Sequence, residues 1–182
     1  MPTDTVTEAP ADTATDVGTE RADLAAALAA QRGFLRRAVR GMTDRQAALH
    51  PTTSELCLGG IVKHVARVES GWTDFIVEGP SAMGQMDEAA YEAHASGFRM
   101  EEGETLAGLL AGYDRAAQRT DELLGSMASL DLSHPLPEAP WFESGARWSA
   151  RRVFLHILAE TAQHAGHADI IRESIDGAKT MG

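Results

Sequence analysis

In the stretch LHILAETAQHAGHADIIRESIDG, Leu155–Gly177, the residues Ile157, Leu158, Ala165, Ala168 and Ile171 recur at helical spacing. Val153 and Phe154 extend the same broad apolar side, Ser149 is placed to cap the start, and the run stops near Ile175, before Gly177. A helix of this length buries such a side only against other helices. The segment also carries His156, Glu160, His164 and His167. At ~100° per residue these four fall within an arc of roughly 80° that overlaps the edge of the apolar side. Ionisable groups in that position are costly unless they are paired or bound to a metal.

Three further segments have the same character. Leu24, Leu28, Leu35 and Val39 mark a helix over residues 19–41, with Thr19 as its cap and Gly41 as its end. Ile61, Val65, Val68, Trp72, Phe75 and Ile76 mark a second over 56–77, closing at Gly79-Pro80. Leu106, Leu109, Leu110, Tyr113, Ala117 and Leu124 mark a third over 104–127. Between the first two, Thr43-Asp44-Arg45-Gln46 has the form of a capping box and predicts a short helical turn. No segment alternates with period two. The expected fold class is therefore all-α, a four-helix bundle. Long connections over 80–103 and 128–147 let helices cross over its ends, the first with a short helix expected around 87–94. Residues 1–18, rich in Thr, Asp, Ala and Pro, read as a flexible acidic tail, leaving 19–182 as the bundle domain.

Composition narrows the function. The 182 residues carry a formal net charge of -11, and Lys and Arg form no concentrated patch, so nucleic acid and anionic membrane surfaces are excluded as partners. No apolar run reaches the length of a membrane span, and the N-terminus lacks the pattern of a signal peptide. A single cysteine, Cys57, cannot staple the fold, so a cytoplasmic protein is expected. Cys57 reads as a small core residue, and His50, His94 and His134 as exposed spectators near loops. Arg67 and Arg172 read as surface charges.

Glu160 and His164, at i and i+4, meet one turn apart on one helix face. That spacing aims two ligands at one ion, as on zinc-protease helices, and the oxygen and nitrogen donors suit zinc, nickel or a similar divalent ion. His64, at the edge of the second helix's apolar stripe, is the best candidate for a third ligand, because bundles build metal sites from facing helices.

The segment LGGIVKHVARVESGW (Leu58–Trp72), together with Leu155–Gly177 and the link GMTDRQAALHP (Gly41–Pro51), resembles the DinB-like family of metal-binding four-helix bundles, and most of all its actinobacterial branch of mycothiol-dependent enzymes. The resemblance implies a divalent metal, zinc or nickel, held by His64, Glu160 and His164. It also implies a low-molecular-weight thiol, mycothiol, acting on a small electrophile. Many relatives carry His at the position of Glu160 and Gln at that of His167. His167 is thus open as fourth ligand, ligand partner or base, and either His167 or His156 would shuttle the proton. The maleylpyruvate isomerases of this branch carry a further C-terminal domain, whereas this chain ends at Gly182, so that specific isomerisation is not expected; the expected reaction is S-transfer to, or isomerisation of, a small electrophile. Two other readings are metal-dependent hydrolysis through activated water and a non-catalytic module that binds metal or a small ligand. Trp141, Phe142 and Trp148 either cap the bundle or wall a ligand cavity. Bundles of this type often pair as homodimers, though the sequence points to no particular face.

Overall fold

The computed structural model describes residues 13–84 and 96–180. Helix α1 spans Thr13–Ala38, a one-turn α2 spans Asp44–Ala47, and α3 spans Leu58–Glu78, running into a 3-10 turn at Gly79–Met83. Helix α4 spans Leu106–Ser126 and α5 spans Ala150–Asp176. The long helices form the bundle: α1 packs on α5, and α3 packs on both α4 and α5. Among the described residues no helix is long and apolar enough to cross a membrane.

The caps follow the sequence signals in most places. Thr43 and Gln46 form the reciprocal capping box, and Ser149 accepts from the Arg152 N–H at the head of α5. Gly177 ends α5 in the left-handed conformation, at φ 77°. Thr19 is not a cap, because α1 begins at Thr13: once nucleated, a helix extends by one hydrogen bond per residue and needs no apolar stripe to do so. The tail expected over 1–18 is thus helical from residue 13, and the rest of it lies outside the described residues. So does the short helix expected around 87–94.

Among the described residues, one departure from all-helical structure lies in the 128–147 connection. Strand β1 (Ser133–Pro135) pairs antiparallel with β2 (Arg147–Ser149). Strands of three residues are too short to show alternation in sequence.

The core divides along the bundle axis. One apolar cluster contains Leu35, Val39, Ile61, Val65, Tyr113, Ala165 and Ala168. The other contains Leu24, Leu28, Phe75, Leu124, Val153, Phe154 and Ile157. Between them each long helix contributes a buried polar residue: Arg32, Glu69, Thr120 and Thr161. The Arg32 guanidinium donates to both oxygens of Glu69, and its Nη1 reaches Asp121 at 2.8 Å. Thr73 and Thr120 hydroxyls meet at 3.1 Å. This layer lies beside the metal-ligand candidates, since Thr161 follows Glu160 and Glu69 lies just over one turn beyond His64.

Candidate metal centre

Helices α3 and α5 bring His64, Glu160 and His164 to one point, with a donor atom from each lying within 4.8 Å of the others. The His64 Nε2 is 3.8 Å from Glu160 Oε2, and the His164 Nε2 is 3.7 Å from the same oxygen. The two imidazoles meet edge to face with centroids 4.7 Å apart. His64 and His164 are buried and Glu160 half-buried, so the cluster opens toward solvent through its carboxylate.

The start of α3 is built to bring a covering residue onto His64. Cys57 caps this helix, its Sγ accepting from the Gly60 N–H at 3.4 Å, so the thiol is buried but more than a space-filler. Gly59 and Gly60 then leave the helix backbone bare. A Cβ on Gly60 would lie 1.9 Å from the Phe98 carbonyl oxygen, so only glycine admits the loop there. The approach lays the Phe98 ring on His64, with centroids 3.9 Å apart and planes at 23°. Phe98 carries no periodic signal in the sequence. The Gly59-Gly60 pair at a helix start was the available clue, because bare backbone implies something packed against it.

Electrostatics favour a cation-binding protonation state. The His64 imidazole facing Glu160, with His156 and His164 adding to it, holds the Glu160 carboxyl below the usual carboxylate range. Burial, reinforced by the neighbouring His64, pushes His164 down to about 4. Near neutral pH the cluster therefore offers a carboxylate and a neutral His164, the forms that ligate divalent ions. Among the described residues, the Nδ1 atoms of His164 and His167 are buried and meet no hydrogen-bond partner, which for His164 again disfavours the charged ring. Donor set, convergence and protonation all fit a divalent ion.

The metal-free protein should accordingly lose stability in acid. His164 titrates near 4 in the fold against about 6.5 unfolded. Above the unfolded value neither state binds the proton, and stability is complete. Between the two values only the unfolded chain takes it up, so stability falls as pH falls, with a limiting slope on the order of 1.4 kcal/mol per pH unit. Glu160, with its lowered folded pKa, acts in the same direction at lower pH. Thermal unfolding in chelator should show the midpoint dropping from pH 6.5 to 4.5. The His164→Leu variant should show a flatter profile, and equal slopes would contradict this account.

His156 sits one turn before Glu160, its Nε2 3.9 Å from Glu160 Oε1. Burial lowers its pKa. Its ring meets Trp72 at 4.8 Å and Trp148 at 5.1 Å, and these indoles stack on each other at 4.7 Å. His167 lies on the other side of His164, with ring centroids 5.4 Å apart.

The sequence profile of the mycothiol-S-transferase family matches residues 23–177. The chain belongs to that family. The matched span runs from the first half of α1 to the C-cap of α5 and includes the whole cluster. The mycothiol-S-transferase family is DinB-like, as the resemblance in Leu58–Trp72 and Leu155–Gly177 implied. No curated protein matches the chain.

Two expectations of bland surface roles are corrected in this mycothiol-S-transferase fold. His134 is no exposed spectator: its Nε2 lies 3.1 Å from the Ile76 carbonyl oxygen, and its ring packs on Phe75, fastening β1 to the end of α3. Arg172 is more than surface charge, since its Nη1 donates to the carbonyls of Ala38 and Arg40 at 2.9 Å, capping the C-terminus of α1. Both fell in stretches where sequence shows residue type but not the partner. His50 is exposed, as expected, and His94 lies outside the described residues.

Proposed function

We propose that this chain is a divalent-metal-dependent transferase that joins mycothiol to a small electrophile, with His64, Glu160 and His164 as the metal ligands. The observation that carries the reading is the convergence of these three donors in a chain of this family. Two imidazole nitrogens and one carboxylate suit zinc, with nickel the nearest competitor. Three protein ligands are the pattern of a catalytic site, and a divalent ion there supplies positive charge that lowers the pKa of a thiol.

The remaining steps fall to the protein. In displacement, the thiol sulfur forms a bond to carbon, the carbon–halogen or similar bond breaks, and the leaving group departs with its electron pair. The thiol proton must go to a base. His156 suits that role, since burial favours its neutral form and it sits between Glu160 and the aromatic residues. His167, beyond His164, has a buried Nδ1 and better suits orienting a ligand than exchanging protons with substrate. Phe98 shields His64 from water. The cytoplasm, where thiols stay reduced, suits this chemistry.

The test is turnover of an alkyl halide by zinc-loaded protein, with and without mycothiol. The expected result is a thioether that forms only when both thiol and metal are present, and is lost on chelation. Alcohol released at the same rate without thiol would replace this reading with metal-dependent hydrolysis. Binding of metal without turnover of any electrophile would leave a sequestering module.

A further inference from the structure

Beside the cluster lies a groove of about 310 Å³, walled by Val68, Gly71 and Trp72 of α3, by Met83 of the 3-10 turn, and by Trp141 and Phe142 of the 128–147 connection. Its size is at the lower end of small-molecule sites, enough for one ring system but not for a peptide or a disaccharide. Its side chains present mostly ring faces and apolar carbon, with Arg67 the charged residue of its lining. Trp141 stands at its mouth, 55% exposed, and Phe142 bridges Trp141 and Trp148 at centroid distances of 6.1 and 5.8 Å.

Two lines of residues connect the walls of the groove to the cluster. On α3, Val68 and Trp72 follow His64 at i+4 and i+8, so the groove begins ~6 Å along the axis from a candidate ligand and extends to ~12 Å. Across the bundle, Trp72 touches both Trp148 and His156, and His156 faces Glu160. A molecule with its flat body against Trp72, Trp141 and Phe142 can thus place one end at the cluster.

We infer that this groove is the acceptor subsite, and that it selects electrophiles with a planar aromatic body and the reactive carbon attached to the ring edge, such as benzylic halides. The inference rests on the S-transfer reading for the reaction itself, but binding to the groove does not. In the reaction, the thiol sulfur bonds to the benzylic carbon, the carbon–halogen bond breaks, halide leaves with its electron pair, and the thiol proton passes to a base. Ring faces favour flat, polarisable partners over alkyl chains of equal area. The small size of the groove restricts the body to one or two rings.

The three tryptophans of the chain, Trp72, Trp141 and Trp148, all belong to this region, so selectively excited tryptophan fluorescence reports on it alone. The first measurement is a titration with 4-nitrotoluene, an unreactive aromatic quencher, in the absence of thiol. Saturable quenching is expected. Gly71→Leu is the blocking variant: a Cβ at Gly71 meets nothing within 4 Å, so a side chain there fills the groove while improving the helix. It should abolish saturable quenching at unchanged or raised thermal stability. Trp141→Ala leaves two reporters and should raise the dissociation constant ~10-fold. The second measurement compares 4-nitrobenzyl bromide with bromoethane, each with mycothiol. The ratio of their kcat/KM values should fall about tenfold in Trp141→Ala and further in Gly71→Leu. Non-saturable quenching that is equal in all three proteins would overturn the subsite, whatever the enzyme's activity. A specificity ratio unchanged in both variants would overturn it as well. Saturable quenching without any thiol-dependent turnover would keep the binding site and remove the reaction.

Discussion

Alanine at His64, Glu160 or His164 should each reduce bound metal from about one equivalent to a trace, and thiol-dependent turnover should fall with it. The size of the effect follows from the number of donors. In the proposed set of three protein ligands, losing one leaves two, which for a divalent ion in competition with water is too few for retention through purification. Changes one bond further out already cost roughly 10–100-fold in metal affinity, so loss of a ligand should exceed that range. The three variants should also differ in stability. Glu160→Ala removes a carboxylate that His64, His156 and His164 all face, but leaves no buried charge behind. His64→Ala empties the space beneath Phe98 and should be the least stable metal-free form. The measurement is elemental analysis of untagged protein with thermal unfolding on the same samples. Full metal content in any one variant would remove that residue from the ligand set. Retention in all three would place the ion elsewhere.

The helices of this fold were legible because their stripes are long. Leu24, Leu28 and Leu35 of α1, Val39 just past its end, and Val153, Phe154, Ile157 and Ile171 of α5 are all buried. The cluster was legible for a related reason: Glu160 and His164 share a helix face by spacing alone, and His64 sits where an apolar stripe turns polar. What escaped was set by partners distant in the chain. Phe98 reaches His64 only because Gly60 leaves its backbone open. The β1–β2 pairing joins residues twelve to sixteen apart through strands too short to show a period. Trp72 read as a core stripe, yet it divides its surface among Phe75, Trp148, His156 and the groove. Periodicity says which face a residue is on; it does not say whether that face meets a helix or a cavity.

The least legible feature was the buried ion pair, and it carries the largest stability prediction. Arg32 lies on the apolar side of α1 and Glu69 on that of α3, 2% and 0% exposed. Removing one partner of such a pair costs ~3–5 kcal/mol, because the other charge is left in the core. The two single replacements should not be equal. In Glu69→Leu, Arg32 keeps its 2.8 Å bond to Asp121, a residue half in solvent. In Arg32→Met, Glu69 keeps no cation, and its side chain is wholly enclosed. Arg32→Met should therefore sit at the upper end of that range, lowering Tm by roughly 10–15 °C for a chain of this size, and Glu69→Leu should cost about half as much. The double variant Arg32→Met/Glu69→Leu removes both charges at nearly constant volume and joins the two apolar clusters into one. It should recover most of the loss, since replacing a whole buried pair by apolar residues is often neutral or stabilising. Thermal and urea unfolding of the four proteins close a double-mutant cycle with a large favourable coupling. Additive losses would mean that Arg32 and Glu69 contribute separately, Arg32 through Asp121 alone. The cycle also bears on the cluster, because Glu69 shares α3 with His64 and Thr161 adjoins Glu160: a double variant that is stable yet binds metal more weakly would show that this polar layer sets the register in which α3 faces α5.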